Sequence, residues 1–240
     1  MEERIIKEHP ILFSGPLVRA ILADQKTQTR RLLRVQPEVP LLWYPTPHSK
    51  RSLAYDGEAH FRKGAVADFS PWKVGDRLWV RESWMPGYDH QSVDQGDDKS
   101  ICEVIYRGAS KDHNVSEFRP APDDIAEKWS RTYSEDGDDD PRWRSPASMP
   151  RWASRLTLEV TEVRVQRLQE ISEEDARAEG LPSGWYDGKD LFSVAPSSAG
   201  GSQWHLSARM RFEFLWKAIY GLESWEANPW VWAVSFRRAL

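Results

Sequence analysis

Apolar and polar residues alternate most regularly in "SRLTLEVTEVRVQRL". There Leu156, Leu158 and Val160 oppose Thr157, Glu159 and Thr161, and the apolar set then slips to Val163 and Val165. A two-residue period that changes parity predicts a long strand with a bulge or sharp bend. "PILFSG" reads as a short buried strand, followed by a cap at Ser14 and a helix from about Pro16 to Ala23 with Leu17, Ile21 and Leu22 on one face. Asp24 or Gln25 closes that helix before the chain extends through "KTQTRRLLRV", where Thr27 and Thr29 share one face and Gln28 and Arg30 the other. Gly75 and Asp76 form a turn into a strand with Leu78 and Val80 inward, and "ICEVIYRG" is a further strand. "ISEEDARAEG" carries a serine cap, acids in its first turn and a glycine stop, which predicts a short helix. "LSARMRFEFLWKAIYG" places Met210, Phe214 and Trp216 or Lys217 at helical spacing, closed by Gly221, and "NPWVWAVSFRRA" is a last strand.

Between these elements the periodicity dissolves. Residues 36 to about 71 are rich in proline and polar groups and read as a long loop, and residues 108–148 read as a mobile excursion. The order of elements disfavours a parallel crossover fold. It predicts an α+β chain, a small mixed β-barrel with flanking helices and long loop insertions.

Charge changes this picture only locally. The chain of 240 residues has a formal net charge of −4. Eight acidic residues against Lys128 and Arg131 fall between Ala121 and Asp140, so the remainder carries +2 and includes the basic clusters "RRLLR", "PRWASR" and "FRRAL". That distribution suits a small or single-stranded ligand better than long duplex. Thirteen tryptophans serve either as core or as stacking platforms for bases. A single cysteine, Cys102, permits no intrachain disulfide, and no signal-like or membrane-spanning stretch occurs, so a cytoplasmic location is expected.

Candidate chemistry concentrates in "AILADQKTQTRRLLR", where a lysine, two threonines, two glutamines and three arginines crowd one turn and the strand after it. The bland reading is a solvated turn and an edge strand; the sharper one is a polar site for an anionic or heteroaromatic ligand. The chain has no glycine-rich phosphate loop, no paired His or Cys at metal spacing and no G-x-S-x-G elbow, so neither a metal nor a cofactor is expected.

Four stretches in order, "ILADQKTQTRR", "GDRLWVRE", "LEVTEVRVQRLQEISEEDARAEG" and "VWAVSF", resemble the ASCH domain, a compact barrel related to the PUA fold, and within it the ASCH-containing proteins common in bacteriophages and prophages. On this likeness residues 1–240 form a single ASCH/PUA-like domain with insertions at about 36–70, 85–150 and 182–205, in the cytoplasm of a bacterial or phage-infected cell. Some small bacterial ASCH proteins are amidohydrolases that remove acetyl from N4-acetylcytidine with a lysine, a threonine and a glutamate. By resemblance those roles fall on Lys26, Thr29 and Glu179, with Arg30, Arg31 and Gln28 as ligand-binding residues. The family often has glycine two residues before the lysine, where this chain has Asp24, a residue that tolerates a left-handed turn.

The chemistry is coherent. A threonine hydroxyl needs a base to take its proton, and a lysine partly buried beside Arg30 and Arg31 can have its pKa lowered enough to serve. The glutamate protonates the leaving amine or orients the lysine. Strand alternation, however, puts positions three apart on opposite faces. Two further readings stay open: a non-catalytic module that binds RNA or a modified base through Arg30, Arg31 and nearby tryptophans, and a ribonuclease.

Overall fold

The structure is a computed structural model and describes residues 5–34, 36, 45–46, 49–52, 70–92, 100–107, 114–133, 142–181 and 207–239. The chain is mixed α+β. Its strands are β1 (Glu8–Leu12), β2 (Gln28–Leu32), β3 (Pro45–Thr46), β4 (Ser49–Ser52), β5 (Arg77–Arg81), β6 (Trp84–Ser92), β7 (Ser100–Tyr106), β8 (Val115–Pro120), β9 (Thr157–Arg167) and β10 (Trp230–Arg238). The α-helices are α1 (Gly15–Leu22), α2 (Asp123–Tyr133), α3 (Glu173–Ala178) and α4 (Ala208–Tyr220). Five strands form a sheet of order β1-β5-β9-β10-β2, three form a sheet β6-β7-β8, and β3 pairs with β4. Among the described residues no sheet closes into a barrel. No described helix is long and apolar enough to cross a membrane.

The chain divides into two compact units: Met1–Arg19 with Arg77–Leu158 and Arg238–Leu240, and Ala20–Asp76 with Glu159–Arg237. In the first, β1 runs parallel to β5, Glu8 opposite Arg77 through Leu12 opposite Arg81. Its core joins Trp84, Cys102, Val104 and Tyr106 of the three-stranded sheet to Ala121, Ala126, Met149 and Ala153. The expected excursion at 108–148 is therefore corrected in part, because β8 and α2 lie within it. The α2 sequence is acidic on its exposed side, yet Ala126 is buried and Ile125 packs against the same core. Apolar residues at neighbouring positions escape a periodicity search when the rest of the helix is charged. The run 134–141 lies outside the described residues. Ala126→Gly is expected to cost about 1–2 kcal/mol through helix propensity and a lost core methyl. A lower thermal midpoint checks it; an unchanged midpoint would mean that α2 contributes nothing to this core.

In the second unit β9, β10 and β2 stand side by side, with β10 antiparallel to β2. The parity slip read in β9 is present: Leu158 and Val160 are buried, Thr161 and Glu162 are both exposed, and Val165 is buried. Helix α4 buries Trp216 as expected, but the rest of its inward face differs from the expected one. Ala208, Phe212, Leu215 and Trp216 are buried while Met210 is exposed, since both sets satisfy helical spacing and only the neighbouring core selects between them. Phe212, Trp216 and Trp225 pack with Leu168, Ile171, Ala176 and Val231. On α1 the expected Leu17 and Ile21 are buried together with Val18, and only Leu22 of the expected face is exposed. The expected loop at 36–71 contains the short β3–β4 pair, and the insertion at 182–205 lies outside the described residues.

Candidate functional site

The second unit brings Lys26 and Glu179 together across 153 residues of sequence. Three local devices do this. At the end of α1 the Ala20 carbonyl accepts hydrogen bonds from the backbone N–H of both Gln25 and Lys26, and Asp24 takes a left-handed conformation with φ 57°. The chain thereby reverses tightly into β2. Helix α3 starts on Ser172, whose hydroxyl accepts from Asp175 N–H, and stops at Gly180 with φ 74°. Lys26 and Glu179 then form an antiparallel bridge, and Thr27 N–H donates to Ala178 O at 2.8 Å. Glycine at 180 is required twice over: the positive φ disfavours a side chain, and a Cβ there would lie 2.4 Å from Lys26 Cβ.

The lysine uses its full donor capacity. Lys26 Nζ donates to Glu179 Oε2 at 2.9 Å, to Glu179 O at 2.9 Å and to Gln28 O at 2.8 Å. The two side chains are 1% and 3% exposed. Arg30 Nη1 takes the other carboxylate oxygen of Glu179 at 3.0 Å and donates to Gln28 Oε1 at 2.6 Å. Its Nη2 donates to Asp175 Oδ2 at 2.7 Å, and its Cζ lies 5.6 Å from the centre of the Phe212 ring. Gln28 Nε2 donates to Asp175 Oδ1 and Ser235 Oγ, both at 3.2 Å, while Arg164 Nη2 reaches both Asp175 oxygens from the outer side. Two cations and two carboxylates thus interlock, with an amide between them and one more arginine at the rim.

Burial is the largest influence on Lys26 and pushes its ammonium below the ordinary lysine range. Glu179 opposes that shift, and Arg31 and Arg30 add smaller pushes in the same direction as burial. The direction matches the sequence expectation, but its main cause is desolvation rather than the neighbouring arginines. For Asp175 burial pulls upward, and Arg30 and Arg164 outweigh it, leaving the carboxyl below its ordinary value.

Because the unfolded Asp175 then binds its proton more readily than the folded one, its contribution to stability is complete above the ordinary value of about 3.9 and is lost as pH falls through the lower folded value. Thermal midpoints of the wild type are expected to fall steeply below about pH 4, and Asp175→Asn should remove part of that slope. Superimposable slopes would mean that Asp175 is not held by its arginines.

The remaining expected residues fall in different places. Thr29 is buried in β2 opposite Val234, and among the described residues the hydrogen bonds of the cluster do not include it. Arg31 is half-buried opposite Trp232. Gln28 and Arg30 are buried on one face of β2 as alternation predicts, but Thr29 on the other face is buried too, so β2 stands at the edge of its sheet as the bland reading has it but is not solvated over these positions. Sequence reading missed Asp175, Ser235, Arg164 and Phe212. The spacing of Asp175 and Glu179, four apart on one short helix, was available as a signal; the other three come from separate elements and carry none.

Comparison with protein-family models, with curated proteins and with solved structures found no match to this chain.

Proposed function

We propose that this is an ASCH-type protein, of PUA-like barrel ancestry, acting on RNA or a modified nucleoside, and most concretely an amidohydrolase that removes acetyl from N4-acetylcytidine. The observation that carries the reading is the buried Lys26–Glu179 pair, in which a desolvated amine is held 2.9 Å from a carboxylate that a second cation also grips. Burial makes the Lys26 ammonium give up its proton more readily than an exposed lysine does, and the amine so formed can accept a proton that the carboxylate beside it passes on. In this reading Lys26 takes the proton from the attacking group and Glu179 receives it and delivers it to the leaving exocyclic amine. Arg30, with both terminal nitrogens committed to Asp175 and Glu179, positions the carboxylate and is not a ligand for phosphate. Gln28 shares that positioning role through its bonds to Arg30 and Asp175. By resemblance Thr29 is the attacking hydroxyl, but alternation along β2 sets it on the face opposite Gln28 and Arg30, so Thr29→Ala decides between it and water: turnover that survives the change assigns attack to water.

Incubation with N4-acetylcytidine followed by chromatographic detection of cytidine tests the reading. Release of cytidine is expected from the wild type and a loss of at least about a hundredfold from Lys26→Ala, with nucleoside affinity within a few fold. No cytidine from the wild type, or equal release by Lys26→Ala, would contradict it.

A further inference from the structure

The Arg30 side chain is wholly buried, and its Nε makes no hydrogen bond among the described residues, so the guanidinium is oriented by its two terminal nitrogens. Of the two carboxylates that hold it, Asp175 is the nearer, at 2.7 Å against 3.0 Å for Glu179. Asp175 also sets Gln28. Its Oδ1 accepts from Gln28 Nε2, which turns the amide oxygen toward Arg30 Nη1. The two acids lie four residues apart, where α3 presents both on one side, and Arg30 bridges them.

Asp175 is at the same time the point where this network meets water. Lys26, Gln28, Arg30 and Glu179 are buried, whereas the side chain of Asp175 is 18% exposed and that of its outer partner Arg164 38%. Arg164 Nε stands 3.4 Å from Glu162 Oε2, the Phe212 ring of α4 lies against Arg30, and α1 brings Ala20 beside Lys26. The charges that face Lys26 include Glu179, Arg30 and Arg31, and behind them stand Asp175, Arg164 and Glu162.

We propose that Asp175 is a positioning residue of the Lys26 site: by taking Arg30 Nη2 and the Gln28 amide it divides the guanidinium between two carboxylates and leaves Glu179 free to hold Lys26. Its carboxylate bonds to neither Lys26 nor Glu179 among the described residues and acts through Arg30. Arg30 given wholly to Glu179 neutralises the charge that the Lys26 ammonium leans on; Arg30 shared with Asp175 leaves part of that charge to the ammonium. A purely mechanical staple between α3 and β2 has no such link and would leave the proton affinity of Lys26 as it is. The effect of Asp175 on rate rests on the hydrolase reading above; its effect on Lys26 does not.

The test is nitrogen-detected NMR titration of Lys26 in the folded protein, with the pH dependence of kcat beside it. Asp175→Asn should let Lys26 give up its proton at lower pH than in the wild type, and Asp175→Glu should return it most of the way. Arg164→Gln should move it the opposite way, to higher pH, because Asp175 is then left to Arg30 and Gln28 and one positive charge is gone. Should Asp175→Asn fail to fold, Arg164→Gln at its half-exposed position decides. Both shifts should persist in about 1 M salt, which screens exposed charges but not a buried relay. With N4-acetylcytidine, Asp175→Asn should lower kcat about tenfold and leave KM within a few fold, and the acid limb of kcat should follow Lys26 to lower pH. A Lys26 titration unmoved by Asp175→Asn and by Arg164→Gln, or shifts that vanish at high salt, would overturn the positioning role, whatever the melting temperatures do. Absence of turnover in the wild type defeats the hydrolase reading and leaves the titration result standing.

Discussion

Glu179→Gln is expected to destabilise the protein by about 3–5 kcal/mol, the cost of leaving a buried charge without its partner. The Lys26 ammonium loses its counter-charge in a place where water reaches almost none of it, and Arg30 loses one of its two carboxylates. For a chain of this size the midpoint should fall by roughly 6–20 °C. The double change Lys26→Met with Glu179→Leu removes both charges together and should recover much of the loss, because a buried ion pair and an apolar pair of similar volume are often close in free energy. A double-mutant cycle measures the coupling. Two single changes that simply add would mean that Lys26 and Glu179 do not depend on one another, and the site would lose its physical basis.

Gly180→Ala is expected to be nearly as damaging for a different reason. At φ 74° an alanine sits in the left-handed region, and its methyl carbon would also lie 2.9 Å from Lys26 Cα, a backbone atom that cannot swing aside. Strain and overpacking together amount to about 2–4 kcal/mol. Since the displaced group is Lys26 itself, any hydrolysis should be lost with the stability. Thermal unfolding checks the first effect, and normal stability in Gly180→Ala would show that the bridge between Lys26 and Glu179 has slack.

Local signals account for what was legible in the sequence. Ser172 and Gly180 bound α3, the phase slip in β9 is visible in its own alternation, and Asp24 takes the left-handed turn that its short polar side chain tolerates. Lys26 and Glu179 were paired only by likeness to a family, because nothing in the sequence between two positions 153 apart fixes their distance. What could not be read belongs to tertiary packing. The inward face of α4 depends on which neighbours supply the core around Phe212 and Trp216. Burial on both faces of β2 hides Arg30 completely, so a residue expected to greet a ligand instead grips Asp175 and Glu179.

The account turns on Lys26 being a lysine whose proton is held loosely because its surroundings are dry. Nitrogen-detected NMR titration of the lysine side chains, with Lys26→Arg identifying the resonance, measures this directly. One Nζ should titrate clearly below the exposed lysines, and Glu179→Gln should move it lower still, since the carboxylate is what holds the ammonium form against burial. A Lys26 that titrates together with the exposed lysines would contradict the account.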